Sequence, residues 1–319
     1  MLALGSDCGL LLRGLHASLA SVGRDRRINP LLTPAQEPAP LARPAESFRP
    51  DRSEVMNDVG TGKKIEIQQG VVFECLVGAH NQARSLTTGV VTVSPTVQLA
   101  YHTHPMTESI TLLEGSAAVE VEGRRYQLTP LDNVVIPPGV AHSVMNIATD
   151  RDARFHIAFP TDAPVREPVE PKFTLQVMPD DSCGPGAAGL ERVNRIDSAK
   201  RFDAGHGATF IDFFNEELMP GIEMSGGYGL FRPGGRLPAH VHDFDESICI
   251  VEGTAKCVVE GREYTMSGCS TALQPRGRVH YFVNDSETPM AMVWVYAGPN
   301  PERIVVDESN ATIEGNPWR

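Results

Sequence analysis

Two stretches of the chain share one pattern of histidine, glutamate and glycine. Residues 102–115 read HTHPMTESITLLEG, and residues 240–253 read HVHDFDESICIVEG. A shift of 138 places aligns His102 with His240, and the alignment then continues without a gap for 45 positions, of which 17 are identical. Two unrelated segments of this length would share only a few identical positions. The chain is therefore a tandem duplication, which agrees with the two domains expected for 319 residues.

Each copy predicts short β-strands joined by tight turns. Residues 116–122 (SAAVEVE) and 254–260 (TAKCVVE) are β-capable and end at Glu-Gly, where glycine permits the positive φ of a hairpin turn. This pattern is typical of antiparallel sandwiches or barrels, one in each copy, so the predicted fold class is all-β. Further strands are predicted at Thr88–Val93, Arg154–Phe159, Ala208–Phe214, Gly229–Arg232 and Met290–Tyr296.

The composition is that of a globular protein with an acidic surface. The chain has 41% hydrophobic and 21% charged residues, with 28 Lys+Arg against 40 Asp+Glu and a net charge of −12. This balance argues against nucleic acid or an anionic membrane as a partner, because phosphate binding relies on clustered Lys and Arg. No apolar run approaches the roughly 20 residues that span a bilayer. The expected partner is a small-molecule substrate, with O2 as a possible co-substrate.

The cysteines favour a reducing compartment. No CxxC pair or disulfide-scaffold spacing is present, so we expect reduced, mostly buried thiols and a cytoplasmic location. The six cysteines are Cys8, Cys75, Cys183, Cys249, Cys257 and Cys269.

The regions outside the two copies are predicted to be irregular. Residues 1–60 are predicted to be a disordered or mis-annotated N-terminal extension, because residues 24–50 combine arginines with six prolines. The extension is either a weak transit-like leader or, for residues 1–55, an artefact of the gene model ahead of a true start at Met56. The remaining predicted boundaries are a first barrel at 61–160, a Pro-rich linker at 161–200, a second barrel at 201–300 and a tail at 301–319.

Each copy also predicts a metal site. Side chains alternate along a strand, so the two histidines of HxH project from the same face. A glutamate follows four residues later and a third histidine arrives 38 residues after the second. Three imidazoles and a carboxylate suit Fe, Mn, Ni, Co or Zn, and they leave coordination positions open for a substrate. The predicted ligands are His102, His104, Glu108 and His142 in the first copy and His240, His242, Glu246 and His280 in the second.

These motifs resemble those of the cupin superfamily. HxHxxxE followed by six residues and glycine, and then PxGxxHxxxN, looks like the two cupin signatures and covers about 45 residues of each half. The resemblance implies a bicupin with two double-stranded β-helix (jelly-roll) barrels, two divalent transition-metal ions and a homo-oligomeric assembly. In one departure, the Gly-Asp that usually precedes the Pro-x-Gly turn is replaced by Leu131-Asp132 and by Cys269-Ser270.

Arginines near the second motif are the predicted substrate-binding and catalytic residues. Arg276 and Arg278 flank its Pro-x-Gly turn, and Arg232 precedes its first histidine. A guanidinium suits a carboxylate or enolate, although most arginines at such positions are solvated loop residues. The first copy has Pro138 and Val140 at the turn positions, so we expect the chemistry at the second site.

Two further pairs of residues have alternative interpretations. Asn146 and Asn284 lie four residues after the last histidine and would either hydrogen-bond the ligands or stabilise a turn. Asp243 and Asp245 are general-base candidates or simple loop acids, and we favour the latter.

Three functions are compatible with this sequence. The first, which we slightly favour, is a dioxygenase that binds an enol, diketone or phenol together with O2. The second is a non-redox Mn- or Zn-dependent decarboxylase, isomerase, lyase or hydrolase. The third is a non-catalytic binding protein, disfavoured because a structural barrel needs no costly polar ligands in its interior. Against an oxalate-decarboxylase-type site, Ala100-Tyr101 rather than an arginine precedes the first histidine pair.

Overall fold

A computed structural model describes residues 40, 44–182, 184–185 and 190–311. These residues belong to one compact unit that spans Ala39–Arg319. The predicted disorder falls largely on residues 1–39 and 41–43, which lie outside the described residues, as do Cys8 and Cys183. Apart from strands, the described chain contains three short 3-10 helices, Glu46–Phe48, Ala79–Asn81 and Glu308–Ala311.

The first barrel consists of two sheets that enclose an apolar interior. All the strands up to residue 194 except the first belong to these two sheets. In chain order, strands β1 to β15 are Val55–Asn57, Lys63–Gln68, Val71–Val77, Thr87–Val93, His102–Thr103, Glu108–Glu114, Ala117–Val121, Arg124–Leu128, Asn133–Ile136, His142–Asn146, Ala153–Phe159, Glu167–Pro168, Gln176–Val177, Gly184–Pro185 and Arg192–Asn194. One sheet has the order β14-β15-β9-β6-β11-β4-β3-β2 and the other β12-β5-β10-β7-β8-β13. Buried side chains such as Val119, Ile136 and Phe155 fill the space between them.

The second barrel repeats this design with two sheets of its own. Strands β16 to β26 are Phe202–Gly205, Ala208–Phe214, Ser225–Phe231, His240–Val241, Glu246–Glu252, Thr254–Val259, Arg262–Ser267, Thr271–Gln274, His280–Val283, Met290–Tyr296 and Ile304–Val305. The sheets have the orders β1-β23-β20-β25-β18-β17-β16 and β22-β21-β24-β19-β26. The predicted all-β class with two barrels is confirmed, and so are the five strands predicted outside the motif hairpins.

The hairpins after the HxH motifs have the turns that the sequence predicts. Glu122 and Gly123 have φ values of 46° and 87°, and Glu260 and Gly261 have values of 47° and 81°. Two successive residues with positive φ form the turn whose twist matches that of paired strands. The Glu-Gly dipeptide therefore fixes the register of each hairpin.

The residues in place of the usual glycine of Gly-Asp adopt a left-handed turn conformation. Leu131 and Cys269 occupy the glycine position with φ values of 73° and 67°, which glycine adopts more easily. Asp132 accepts a hydrogen bond from the backbone N–H of Thr129, and the Ser270 hydroxyl donates to the carbonyl of Ser267. The retained Asp132 in the first copy and Ser270 in place of the aspartate in the second thus close the turn locally.

The two barrels exchange a strand. Strand β1 precedes the first barrel but pairs with β23 of the second, where Met56 lies opposite Ala272. Strand β15 precedes the second barrel but pairs with β9 of the first, where Asn194 lies opposite Asn133. The predicted extension and linker therefore contribute strands to the barrels' sheets, while the domain boundaries given above remain predictions.

The outer faces of the two barrels pack together around buried apolar residues. One cluster combines Val135 and Ala158 of the first half with Phe213 and Val295 of the second. The hydroxyls of Thr88 and Ser247 lie 2.7 Å apart across this interface.

The four described cysteines, Cys75, Cys249, Cys257 and Cys269, are buried and free, as predicted. Among the residues that the structure describes, no helix is sufficiently long and apolar to cross a membrane. The cellular compartment remains a prediction.

Candidate metal centres

Each barrel brings its four predicted metal ligands, here called its quartet, together in the interior. In the first, His102 and His142 are cross-strand partners on β5 and β10, while Glu108 begins β6. In the second, His240 and His280 are partners on β19 and β24. All eight side chains are buried, and one donor atom of each lies within 4.8 Å of the others in its quartet. The alternation of side chains along each strand places these groups on one face, as the sequence indicates.

Backbone carbonyls hold all six imidazoles by the nitrogen that faces away from the quartet. Each Nδ1–H donates to a carbonyl oxygen, which leaves Nε2 as the atom with a free lone pair. The orientation of each ring is therefore set before any ion binds. The acceptors are Ala100 for His102 (2.9 Å), Val165 for His104 (2.5 Å), Val140 for His142 (2.9 Å), Pro238 for His240 (2.7 Å), Glu302 for His242 (2.7 Å) and Arg278 for His280 (2.9 Å).

The donor set fits a divalent transition metal. His142 Nε2 lies 2.6 Å from Glu108 Oε2, and His280 Nε2 lies 2.8 Å from Glu246 Oε2. His242 Nε2 is buried 3.3 Å from Glu246 Oε2, but the geometry gives it no hydrogen-bond partner. Converging lone pairs of nitrogen and oxygen, one of them unsatisfied, are what a Mn, Fe, Co, Ni or Zn ion coordinates.

The electrostatics favour the metal-binding protonation states of His102, His240 and the two glutamates, whereas at His104 burial is outweighed by the Glu108 carboxylate, which raises the pKa. Burial lowers the pKa of His102 to about 4 and that of His240 well below its ordinary value. Burial alone would raise the pKa of Glu108 and Glu246, but the neighbouring histidines outweigh it and lower both. The imidazoles of His102 and His240 are therefore neutral and both carboxyls ionised near neutral pH, as coordination requires.

The lining beside the glutamate differs between the two sites. Glu108 lies opposite Ile136 in the sheet, and Phe159 packs against His104 at 4.9 Å. Side chains that oppose each other across paired strands share a face. The first metal centre is therefore flanked by apolar groups.

The second centre has polar groups at the corresponding places. Glu246 lies opposite Gln274 on one side and Tyr296 on the other. Gln274 Oε1 and Trp294 Nε1 are buried without a hydrogen-bond partner. Since Trp294 and Tyr296 alternate on one strand, both point into the barrel with the ligands.

The structure places the predicted arginines in the loops around the second barrel. The Arg276 guanidinium is paired with Asp243 at 2.5 Å and lies over the Phe48 ring. Arg278 donates to Glu260 Oε2 and to the Arg52 carbonyl, both at 2.6 Å. Their role in substrate binding stays a prediction.

The third predicted arginine is exposed. Arg232 lies in the turn that follows β18. A substrate-binding role for it likewise stays a prediction.

The structure decides between the alternatives for the asparagines. The side-chain amide of Asn284 donates to the carbonyls of Phe231 and Thr288, and that of Asn146 makes the equivalent bonds to Val93 and Arg151. Both therefore stabilise turns.

Asp245 is a buried structural acid. Both of its carboxylate oxygens accept hydrogen bonds from the Arg52 guanidinium at 2.7 and 2.9 Å. The backbone N–H groups of Arg84 and Arg276 also donate to it. This loop-acid role confirms the favoured interpretation.

Sequence reasoning missed the segments that follow the last long strand of each barrel. Val165 and Glu302 supply the carbonyls that hold His104 and His242, and the next residue in each segment is an arginine. The repeated arginine follows the duplication with a shift of 137 rather than 138, so one gap would have been needed to find it.

Comparisons with known proteins agree with this architecture. The family model for the cupin domain matches residues 89–159 and 227–296. Oxalate decarboxylase from Lactobacillus farciminis, in complex with formate, superposes with a TM-score of 0.63 and 15% identity, covering 82% of this chain and 91% of that chain. No curated protein matches the sequence.

Two structures of Bacillus subtilis oxalate decarboxylase are similar to the same extent. The structure at pH 4.6 has a TM-score of 0.62 and 14% identity, covering 82% of this chain and 80% of that chain. Another, described for its Mn(II) centres, has the same TM-score and identity with 82% of each chain covered. The chain therefore contains two cupin domains, the arrangement called a bicupin, and each has a buried quartet suited to a divalent transition-metal ion.

Proposed function

We propose that this bicupin is a Mn-dependent decarboxylase that acts on a small oxygenated carboxylate without net oxidation. The observation that carries the proposal is the second metal centre, where a preorganised quartet faces unpartnered hydrogen-bonding groups inside the barrel. In such a reaction the carbon–carbon bond to the carboxylate breaks, CO2 leaves, and a proton takes its place on carbon. A bound divalent ion would supply the Lewis acidity that polarises the substrate oxygens.

Support for a non-redox reaction over a dioxygenase reaction comes from the fold. Solved structures that resemble this chain over most of its length include oxalate decarboxylases, one of them described for Mn(II) centres. This likeness favours the decarboxylase alternative of the sequence hypotheses, and the slight preference for a dioxygenase has no support from it. At 14–15% identity the likeness is one of fold, and O2 consumption distinguishes the two reactions.

The residues of the second barrel are suited to orienting such a substrate. The Trp294 Nε1–H offers a donor and Gln274 Oε1 an acceptor, both buried and unpartnered. Burial raises the pKa of Tyr296 well above its ordinary value, so its hydroxyl keeps its proton. Hydrogen bonds from rigid, water-excluding walls are strong because the local dielectric is low. The second barrel is thus our choice for the chemistry, as the sequence indicated for a different reason.

The test is a product assay on protein of known metal content. Protein stripped with a chelator and reloaded with Mn²⁺ is given oxalate and a series of 2-oxo and dicarboxylic acids. CO2 release and O2 uptake are recorded together. We expect CO2 release that depends on Mn²⁺ and exceeds any O2 uptake by at least tenfold. Consumption of one O2 per substrate would overturn the proposal in favour of a dioxygenase.

A further inference from the structure

One arginine in each barrel lies opposite the second histidine of the HxH pair. Strand β12 pairs with β5 so that Glu167 faces Thr103 and Pro168 faces His102. Continuing this register by one residue places Arg166 opposite His104. In the second barrel β26 pairs with β19 in the same way, with Ile304 opposite Val241. The same step places Arg303 opposite His242.

This register directs both arginines towards the metal centres. Cross-strand partners project from the same face of a sheet, and here that face carries the ligands. The residue before each arginine holds the histidine ring, through the bond from His104 to the Val165 carbonyl and from His242 to the Glu302 carbonyl. The backbone that carries each arginine is therefore fixed to the site itself.

The Arg166 side chain has an unused donor at this place. Its Nη1 atom is buried and has no hydrogen-bond partner. Burial lowers the pKa of Arg166, and the Glu108 carboxylate partly offsets that shift, so the guanidinium lies within electrostatic reach of the first quartet. Buried donors are rarely left unpaired, and one beside a metal centre marks the position of a ligand acceptor.

The electrostatic effect of Arg303 on its neighbours likewise indicates that it lies close to the second quartet. Its positive charge contributes to lowering the pKa of His240 and opposes the rise in that of Tyr296, with burial the larger cause in both. The two barrels therefore share a positive group that the HxHxxxE motif does not include.

We infer that Arg166 binds the carboxylate group of an anionic ligand beside the first metal centre, and that Arg303 does so beside the second. The inference rests on the proposed function, which supplies a carboxylate as substrate. A guanidinium presents a planar fork of N–H donors that matches a carboxylate, and a divalent ion with one glutamate leaves the site positively charged. In the first barrel, where Ile136 and Phe159 flank the quartet, Arg166 supplies the hydrogen-bonding charge.

The assignment also gives each site a positive charge although no arginine directly precedes its HxH motif. Ala100 and Tyr101 precede His102, and Pro238 and Ala239 precede His240. The positive charge comes instead from the neighbouring strand of the same sheet. The ligand class is a small mono- or dicarboxylate, because the fork and the metal lie on the same side of the barrel.

The test compares Arg166→Met and Arg166→Lys with Arg151→Met, a change in an exposed arginine that pairs with Asp150. Each protein is loaded with Mn²⁺, its metal content is measured, and binding of oxalate and of its neutral analogue oxamide is followed by calorimetry. We expect Arg166→Met to retain two ions per chain and to weaken oxalate binding at one of two sites by about tenfold or more. Oxamide binding should stay within about twofold of wild type, Arg166→Lys should recover part of the oxalate affinity, and Arg151→Met should match wild type.

Several results would overturn the inference. These are unchanged oxalate binding in Arg166→Met, equal loss of oxalate and oxamide, or a wild-type protein that binds no oxalate. Arg303→Met is measured alongside and should weaken the other site. Because binding and CO2 release are measured separately, Arg166-dependent binding in a protein that never releases CO2 would contradict only the proposed function. Turnover with unchanged binding in Arg166→Met would contradict only the inference.

Discussion

The two barrels hold the same metal quartet in different surroundings. Glu108 faces Ile136 in the first, whereas Glu246 faces Gln274 and Tyr296 in the second. The carbonyl tethers on the six histidines are the same in both. After duplication the geometry that holds an ion was retained, while the groups that would touch a substrate diverged. The comparison teaches that the metal ligands alone do not distinguish the barrels, and that the positions opposite the glutamate do.

Removing the ligands tests this comparison with the largest expected effect. The double change His240→Ala and His242→Ala should remove one of two bound ions and lower turnover at least about a thousandfold, since the second centre would lose its Lewis acid. The matched change His102→Ala and His104→Ala should also remove one ion but leave most of the activity. Metal analysis and the CO2 assay measure both. If the first-barrel change abolishes turnover and the second does not, the chemistry belongs to the first barrel.

A second comparison concerns the faces that the barrels turn towards each other. His156 of the first barrel is fully buried on the face that also carries Ala158, and both of its ring nitrogens lack a hydrogen-bond partner. The corresponding position in the second barrel holds Val293, since His156 pairs with Thr111 and Val293 with Cys249. One barrel thus has a titratable group where the other is apolar.

This difference predicts acid sensitivity that originates in the first barrel. Burial lowers the pKa of His156 from 6.5 to about 4. The unfolded chain therefore binds a proton at higher pH than the folded one, and folded stability is lost as the pH falls from about 6.5 towards 4. His156→Leu should remove on the order of 3 kcal/mol of that loss. Urea unfolding at pH 7, 5 and 4 measures the free energy of unfolding of the wild type and the variant.

The wild-type protein is the control for other titrating groups, which change equally in both proteins. At pH 7 the variant should be no less stable than wild type, because it removes two unsatisfied buried nitrogens. Parallel stability curves for the two proteins between pH 7 and 4 would show that His156 is not the source of the sensitivity.

Exchanging the residues opposite the two glutamates is expected to have the smallest effect and tests the difference in lining. Gln274→Ile gives the second barrel the residue of the first, and Ile136→Gln does the reverse. Loss of one hydrogen bond to the substrate should lower kcat/KM about tenfold for Gln274→Ile, with metal content unchanged. Ile136→Gln should leave turnover within about twofold. Equal effects of the two exchanges would mean that the lining does not decide which barrel is active.

Much of the site was predictable because its parts are local and repeated. The period of two in HxH places two imidazoles on one face, and the repeat at 138 residues separates ligands from incidental histidines. The Glu-Gly turns were readable for the same reason, since positive φ at two residues is a local requirement.

The predicted substrate arginines were chosen by proximity in sequence, which does not indicate their partners in the fold. Arg276 and Arg278 lie next to the Pro-x-Gly turn, yet their guanidinium groups are paired with Asp243 and Glu260. Arg166 lies 24 residues after the last ligand of its barrel, and the pairing of β12 with β5 brings its position opposite His104. Which acid neutralises which arginine depends on distances in the fold.

Residue order was enough to predict the duplication, the all-β class and the eight metal ligands, because periodicity and repetition can be recognised along the chain. The exchange of β1 and β15 between barrels, the polar lining around Glu246 and the placement of Arg166 and Arg303 could be found in the folded molecule alone. These features depend on which strand lies beside which. Strand pairing joins residues far apart in the chain, and one residue of register decides whether a side chain faces the metal or turns away.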